Sequence, residues 1–293
     1  MAVAKTITIA GKSDHPLQVN RLGYGTMRLT GEGIYGEPPN RPEALEILKT
    51  ATIKGVNFID TADYYGEDVT NRLIAESLFP YPDDLVICTK VGGARKPDKS
   101  WVAHNSPENI RSSIENNLRT LKRDQIQLVH FRIIHGAGVP LEKSLETMFQ
   151  LQQEGKILHV GVSNVEVEDL NMAMKMGNIA TVENMYGHTH RTTSKTPYGV
   201  HPGGEEVLEI CEENEIPLIP FFSLINSLPG KDNRISEVAK KYGATEAQIN
   251  IAWLLHYSPW ILPIPGTSSI KHLVENIAAA NIDLTEEDME YLQ

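Results

Sequence analysis

Short runs of almost uninterrupted apolar residues recur along this chain. Each is followed by a longer stretch in which apolar residues fall three or four positions apart. The runs at 56–59, 85–89, 126–131, 157–162, 181–184, 217–221 and 261–264 have the length and composition of buried strands. The intervening stretches carry helical spacing, as at Leu45, Ile47, Leu48 and Ala51, or at Leu73, Ile74 and Leu78. Ser106-Pro107-Glu108 reads as a helix start, with Ser106 as cap, Pro107 at the first helical position and an acid in the first turn. Ahead of this alternation, 6–9 and 17–19 flank Gly11-Lys12-Ser13-Asp14, the pattern of a β-hairpin. A further strand ends at Leu22 to Gly25. Strands alternating with helices imply a parallel sheet covered by helices, and eight such units in 293 residues suit a closed (β/α)8 TIM barrel, an α/β fold. No Gly-rich dinucleotide fingerprint follows any strand, which disfavours an open doubly wound sheet. The expectation is a single domain over residues 1–293, with an N-terminal β-hairpin.

In such a barrel chemistry gathers where strands end, because the loops there build one face. Asp60, Lys90, Arg132, Ser163, Asn164, Glu183, Phe221 and Gly266 all fall at predicted strand ends. Asp60 is followed within one turn of loop by Tyr65, and Lys90 closes the next strand. A carboxylate, a phenol and an ammonium brought together this way make a proton-donating tyrosine. Lys90 would lower the phenol pKa from its reference of about 10, and Asp60 would orient the lysine. Either residue alone would read more simply, Asp60 as a turn cap and Lys90 as an exposed charge.

The run from Gly55 through Asp60-Thr61-Ala62-Asp63-Tyr64-Tyr65-Gly66 resembles the signature of the aldo-keto reductases. Leu22-Gly23-Tyr24-Gly25-Thr26-Met27-Arg28, Val160-Gly161-Val162-Ser163-Asn164 and Ile264-Pro265-Gly266-Thr267-Ser268-Ser269 extend the resemblance over nearly the whole chain. Gly33-Ile34-Tyr35-Gly36-Glu37-Pro38-Pro39, Ser100-Trp101 and Phe131-Arg132-Ile133 are similar to the pyridoxal reductase branch.

The resemblance implies that Asp60, Tyr65 and Lys90 are three members of a catalytic tetrad. Arg132 stands where the fourth, a histidine, is usual. Arginine stays charged, so it would donate hydrogen bonds to a substrate carbonyl rather than shuttle a proton. His130, two residues earlier, reads as a packed interior histidine with one hydrogen-bond partner. By the same resemblance Ser163 and Asn164 hold a nicotinamide carboxamide. Glu183 takes the place of a glutamine and could only accept from the amide. Phe221 replaces a stacking tyrosine.

Gly266, Thr267, Ser268 and Ser269 end the last strand and open a helix, an arrangement of backbone donors suited to an anion. The resemblance makes that anion the adenosine phosphate of NADPH, with Lys271 or His272, Glu275 and Asn276 completing the adenosine end. The glycines usual after the seventh strand are replaced by Ile225-Asn226. Tyr24, Met27, Tyr35, Tyr64 and Trp101 are candidates to line an aromatic substrate pocket.

Composition narrows the setting. A net charge of -11 argues against nucleic-acid binding. No stretch approaches a membrane span, and the first residues have no apolar core suited to a signal peptide. Cys88 and Cys211 are the only cysteines and read as buried thiols, which with the rest suggests a cytoplasmic protein. His188, His190 and His201 form a weak metal motif without an acidic or thiol partner at useful spacing, so no metal is expected. The resulting expectation is NADPH-dependent reduction of a small-molecule aldehyde, with pyridoxal as the substrate the branch implies. A reductase of other aldehydes, or a cofactor-binding redox sensor, remains open on sequence alone.

Overall fold

The computed structural model describes residues 4–192, 194–196, 199–201, 204–224 and 233–292. Ile225 and Asn226 lie outside the described residues, as does the His201 side chain. The N-terminal hairpin pairs β1 (Thr6–Ile9) with β2 (Leu17–Asn20), Ile7 opposite Val19. There follow β3 (Tyr24–Gly25), β4 (Phe58–Asp60), β5 (Val86–Arg95), β6 (Trp101–His104), β7 (Ile126–Arg132), β8 (Ile157–Ser163) and β9 (Ile179–Met185). The short pair β10 (Ser194–Thr196) and β11 (Gly199–His201) precedes β12 (Leu218–Phe221). The parallel sheet runs β12-β9-β8-β7-β5-β4-β3, and β6 folds back antiparallel on the end of β5.

Residues 260–264 close the ring. Leu262 N donates to Leu218 O on one side, and Pro263 O accepts from Gly23 N on the other, both at 2.9 Å. This is the predicted last strand, in its predicted place. Pro263 and Pro265 lack backbone donors, so it keeps only fragments of a ladder. The fold is a (β/α)8 barrel with an N-terminal hairpin.

The helices α1 (Arg41–Ile53), α2 (Val69–Leu78), α3 (Pro107–Thr120), α4 (Leu141–Gln153), α5 (Val167–Met176), α6 (Glu205–Asn214), α7 (Asn233–Tyr242), α8 (Glu246–Tyr257), α9 (Ile270–Ala278) and α10 (Glu286–Tyr291) follow the expected order. Ser106 caps α3 as predicted, accepting from Asn109 N at 3.3 Å. The two-residue period of the strands sorts the side chains. Ile59 and Ile87 face outward against Ile47, Leu48, Leu73 and Ile74 of α1 and α2. Phe58, Val86, Cys88 and Leu128 face inward, where Ile7, Ile9 and Val19 of the hairpin plug the floor. Burial of each such aliphatic side chain stabilises the fold by roughly 1.5–3 kcal/mol before entropy is counted. The same parity that sends Phe58 and Cys88 inward does so for Asp60 and Lys90, two residues on.

Candidate active site

The upper layer of the barrel interior is ionic. Lys90, almost wholly buried, donates to Asp60 Oδ1 and, at 3.1 Å, to the carbonyl of Thr61. Its third neighbour is Glu183, whose Oε1 lies 3.3 Å from Nζ. Burial alone would discharge this lysine, but the two carboxylates outweigh it and raise its pKa well above the usual value. The carboxylates respond in opposite directions. Burial, then repulsion from Glu183, pushes Asp60 upward towards neutrality. Burial opposes charge on Glu183 too, but Lys90, His130 and Arg132 together hold its carboxyl below the usual range.

Tyr65 stands over this cluster, with the Lys90 ammonium 5.2 Å from its ring centroid. Lys90 acts on the phenol in the predicted direction, yet the net shift is the reverse of the one predicted. Burial pushes the Tyr65 pKa up, Asp60 and Glu183 push the same way, and Lys90 and Arg132 only partly offset them. Tyr65 therefore keeps its proton at neutral pH. That is the state a proton donor requires.

His130 has polar contacts at both ring nitrogens, more than the single partner expected. Nδ1 lies 2.9 Å from Glu183 Oε2 and 3.1 Å from Cys88 Sγ, and Nε2 lies 2.6 Å from Thr181 Oγ1. Burial lowers its pKa, so the ring is neutral. Gly161 makes the space, since a Cβ there would come within 2.4 Å of His130 Cδ2. Asp60, Cys88 and His130 offer possible metal ligands within 4.8 Å of one another, but the ammonium of Lys90 already sits on Asp60 and supplies the cation. His188 and His190 are buried elsewhere. The His188 ring packs edge-on against Trp253, and its Nε2 meets the carbonyl of Leu292.

Above the ionic layer opens a cavity of about 550 Å³. Asp60, Tyr65, Arg132, Asn164, Glu183, Phe221 and Gly266 reach its wall. Arg132 Nη1 donates to Ser163 Oγ at 3.2 Å, and its guanidinium carbon lies 5.0 Å from the Phe221 ring centroid. Ser163 is thus engaged by Arg132 and wholly buried. Asn164, in the left-handed region at φ 61°, donates from Nδ2 to Ile133 O at 3.1 Å.

Of the expected pocket aromatics and their neighbours, Met27, Tyr64 and Trp101 line the cavity. Tyr64 meets Tyr65 and Trp101 edge-on, each at 5.4 Å, and Arg95 lies 4.2 Å over Trp101. Tyr24 and Tyr35 do not line it. Tyr24 is fully buried, its hydroxyl donating to Thr267 O at 2.6 Å, so it packs the barrel rim instead. Tyr35 lies on the solvent side, beside Glu67. Ile34, Ile133, Ile134, His135, Phe222 and Ser223 also line it, and none was a candidate site residue from sequence. They sit on loops, where apolar periodicity carries no signal.

At the start of α9, Ser269 Oγ caps by accepting from His272 N at 3.4 Å, and Thr267 Oγ1 accepts from Ser269 N at 3.1 Å. Ser268, Lys271 and His272 are exposed there, with Lys271 3.7 Å from Glu275, while Asn276 is buried. These residues flank the cavity beyond Gly266 rather than lining it.

The aldo/keto reductase family model matches residues 21–293. A pyridoxine 4-dehydrogenase of Escherichia coli (strain K12) is 40% identical over 289 residues, covering 97% of this chain and 96% of its own. An uncharacterised oxidoreductase of Schizosaccharomyces pombe is 36% identical, covering 92% of this chain and 84% of its own. Among solved structures, a thermostable aldo-keto reductase in complex with the inhibitor epalrestat superposes with a TM-score of 0.81 at 29% identity, covering 98% of each chain. A Klebsiella pneumoniae aldo-keto reductase in complex with NADPH gives 0.77 at 25% identity, covering 99% of this chain and 94% of its own. No helix among the described residues is long and apolar enough to cross a membrane. Over nearly its full length, then, in sequence and in barrel architecture alike, this chain belongs to the aldo/keto reductase family.

Proposed function

We propose that the chain reduces an aldehyde to a primary alcohol with NADPH, and that pyridoxal, reduced to pyridoxine, is its substrate. The observation that carries this reading is the convergence of Asp60 and Tyr65 at one wall of a cavity of suitable size, with Lys90 buried against both. The residues present fit the cofactor. Phe221 offers a ring at the cavity wall, Asn164 polar groups beside it, and the Ser269-capped start of α9 backbone donors for a phosphate. Bound there, NADPH supplies hydride to the carbonyl carbon.

The chain's own groups supply the rest. Tyr65, neutral at working pH, gives its proton to the carbonyl oxygen. Lys90 stabilises the phenolate left behind, and Asp60 and the Thr61 carbonyl hold the ammonium in place. Arg132, on Ser163 and over Phe221, points a fixed positive charge into the same space and polarises the carbonyl. Tyr64, Trp101 and Ile34 give an apolar corner of two perpendicular rings, suited to an edge-on or stacked aromatic substrate. Pyridoxal carries an ionisable hydroxyl beside its aldehyde, which an arginine at the mouth would pair with. The name of the Escherichia coli relative supports the same substrate.

The test is NADPH oxidation by the purified chain across a panel of aldehydes. Pyridoxal is expected to give the highest kcat/KM. Preference for short aliphatic aldehydes would replace pyridoxal with a general role, and no turnover on any of them would overturn the reductase reading.

A further inference from the structure

Glu183 reaches the cavity wall, yet its carboxylate is engaged beneath it. Both of its oxygens are directed into the barrel, Oε1 to Lys90 at 3.3 Å and Oε2 to His130 at 2.9 Å, and the side chain is almost fully buried. An ammonium has three protons to give. Here two go to Asp60 and the Thr61 carbonyl, and Glu183 stands 3.3 Å from the same nitrogen as a second ion-pair partner. We propose that Glu183 is a positioning residue for the proton donor, sharing Lys90 with Asp60 so that the two carboxylates form one proton-accepting pair that sets how far Lys90 acidifies Tyr65. This rests on the reductase reading and deepens it.

The physical reasoning is charge counting in a dry site. Two carboxylates at one buried ammonium repel each other, so the pair takes up a proton more readily than either group would alone. Around the pair stand Tyr64 and Tyr65 from the loop after β4, Cys88 and Lys90 of β5, and His130 and Arg132 of β7. Of these only Lys90 and Arg132 are cations at neutral pH, because burial keeps His130 neutral. When the pair gains a proton, the surroundings of Tyr65 become one charge more positive, and the phenol becomes a stronger acid. Reduction should therefore quicken as pH falls through neutrality. His130, its other ring nitrogen on Thr181, stands 2.9 Å behind the carboxylate and backs it towards the lysine.

Glu183→Gln removes the charge and keeps the shape. Infrared difference spectra with 13C-labelled carboxyl groups would follow proton uptake without turnover, and NADPH binding would be read by protein fluorescence. The wild-type protein is expected to show two buried carboxyl titrations near neutral pH, one from the Asp60–Glu183 pair and one from Asp63, with Asp63→Asn removing the second. Glu183→Gln is expected to lose the pair's titration from the neutral range and keep that of Asp63. Its NADPH Kd should stay within about twofold, and its kcat should become flat across neutral pH. Glu183→Asp, which keeps the charge, should restore the pair's neutral titration. An unchanged carboxyl titration and pH profile in Glu183→Gln, with tighter NADPH binding, would overturn the proposal in favour of a carboxamide contact. Absence of aldehyde turnover in the wild type would defeat the reductase reading instead, since the infrared and binding measurements need no turnover.

Discussion

The guanidinium carbon of Arg132 lies 5.0 Å from the centroid of the Phe221 ring, while Nη1 donates to Ser163 Oγ at 3.2 Å. Among the described residues no carboxylate comes within ion-pair distance of it, so the charge is directed at the cavity and is not spent on a structural salt bridge. Arg132→Met is accordingly expected to lower kcat severely while leaving NADPH affinity and thermal midpoint nearly unchanged. Arg132→His should recover part of the rate, with a pH dependence near the imidazole value of about 6.5, because only the protonated ring replaces the charge. Full activity in a stable Arg132→Met protein would remove Arg132 from the mechanism and move attention to His130.

Lys90 holds two buried carboxylates, and its removal leaves both without a full counter-charge. Lys90→Met should abolish reduction and destabilise the fold by roughly 3–5 kcal/mol, read from denaturant unfolding. Adding Asp60→Asn to it should restore part of the stability and none of the activity. A Lys90→Met protein of wild-type stability would contradict the shared-lysine arrangement.

Asp63, two residues before Tyr65, has an unsatisfied buried oxygen, and burial pushes its carboxyl up to about 7. Its folded pKa exceeds its unfolded value near 3.9, so the native state binds the extra proton. The associated stability is present below about pH 4 and is lost as pH rises to about 7, with an upper bound of about 4 kcal/mol. Asp63→Asn should therefore raise the thermal midpoint at pH 8 and leave it nearly unchanged at pH 4. Equal shifts at both pH values would show that ionisation of Asp63 is not the cause.

Barrel strands are buried on both faces, so they appear in the sequence as plain apolar runs, and the order of elements follows directly. The last strand is blurred by Pro263 and Pro265, which remove its donors although the chain still closes the ring there. The hairpin formed by the end of β5 with β6 was not legible, because Lys96-Pro97-Asp98-Lys99 reads as loop and its flanks are half-exposed. At the site, Asp60 and Lys90 announced themselves by standing at successive strand ends, with Tyr65 in the loop just after the first. The pairing of Glu183 with Lys90 did not. It joins β5 to β9 across the barrel, and only layer and parity together reveal it. Gly161, beside His130 in register, makes room for that large side chain, but a glycine within a strand does not by itself say what fills the space.

Cofactor choice is expected to favour NADPH over NADH, through the donors at the start of α9 and the exposed Lys271. Lys271 is solvated and already near Glu275, so Lys271→Ala should weaken NADPH by only roughly three- to tenfold and leave NADH unaffected. Equal Kd values for the two cofactors in the wild type, by fluorescence titration, would contradict a dedicated 2′-phosphate site.

The central claim is that Tyr65 gives its proton to a reducible aldehyde over the Asp60–Lys90 pair. The most direct measurement is single-turnover oxidation of bound NADPH by pyridoxal, in the wild type and in Tyr65→Phe, with cofactor affinity measured on the same preparations. Tyr65→Phe should bind NADPH as tightly as the wild type and reduce pyridoxal at least about a hundredfold more slowly, because the ring is kept and the acid removed. A Tyr65→Phe protein that turned over near the wild-type rate would contradict it.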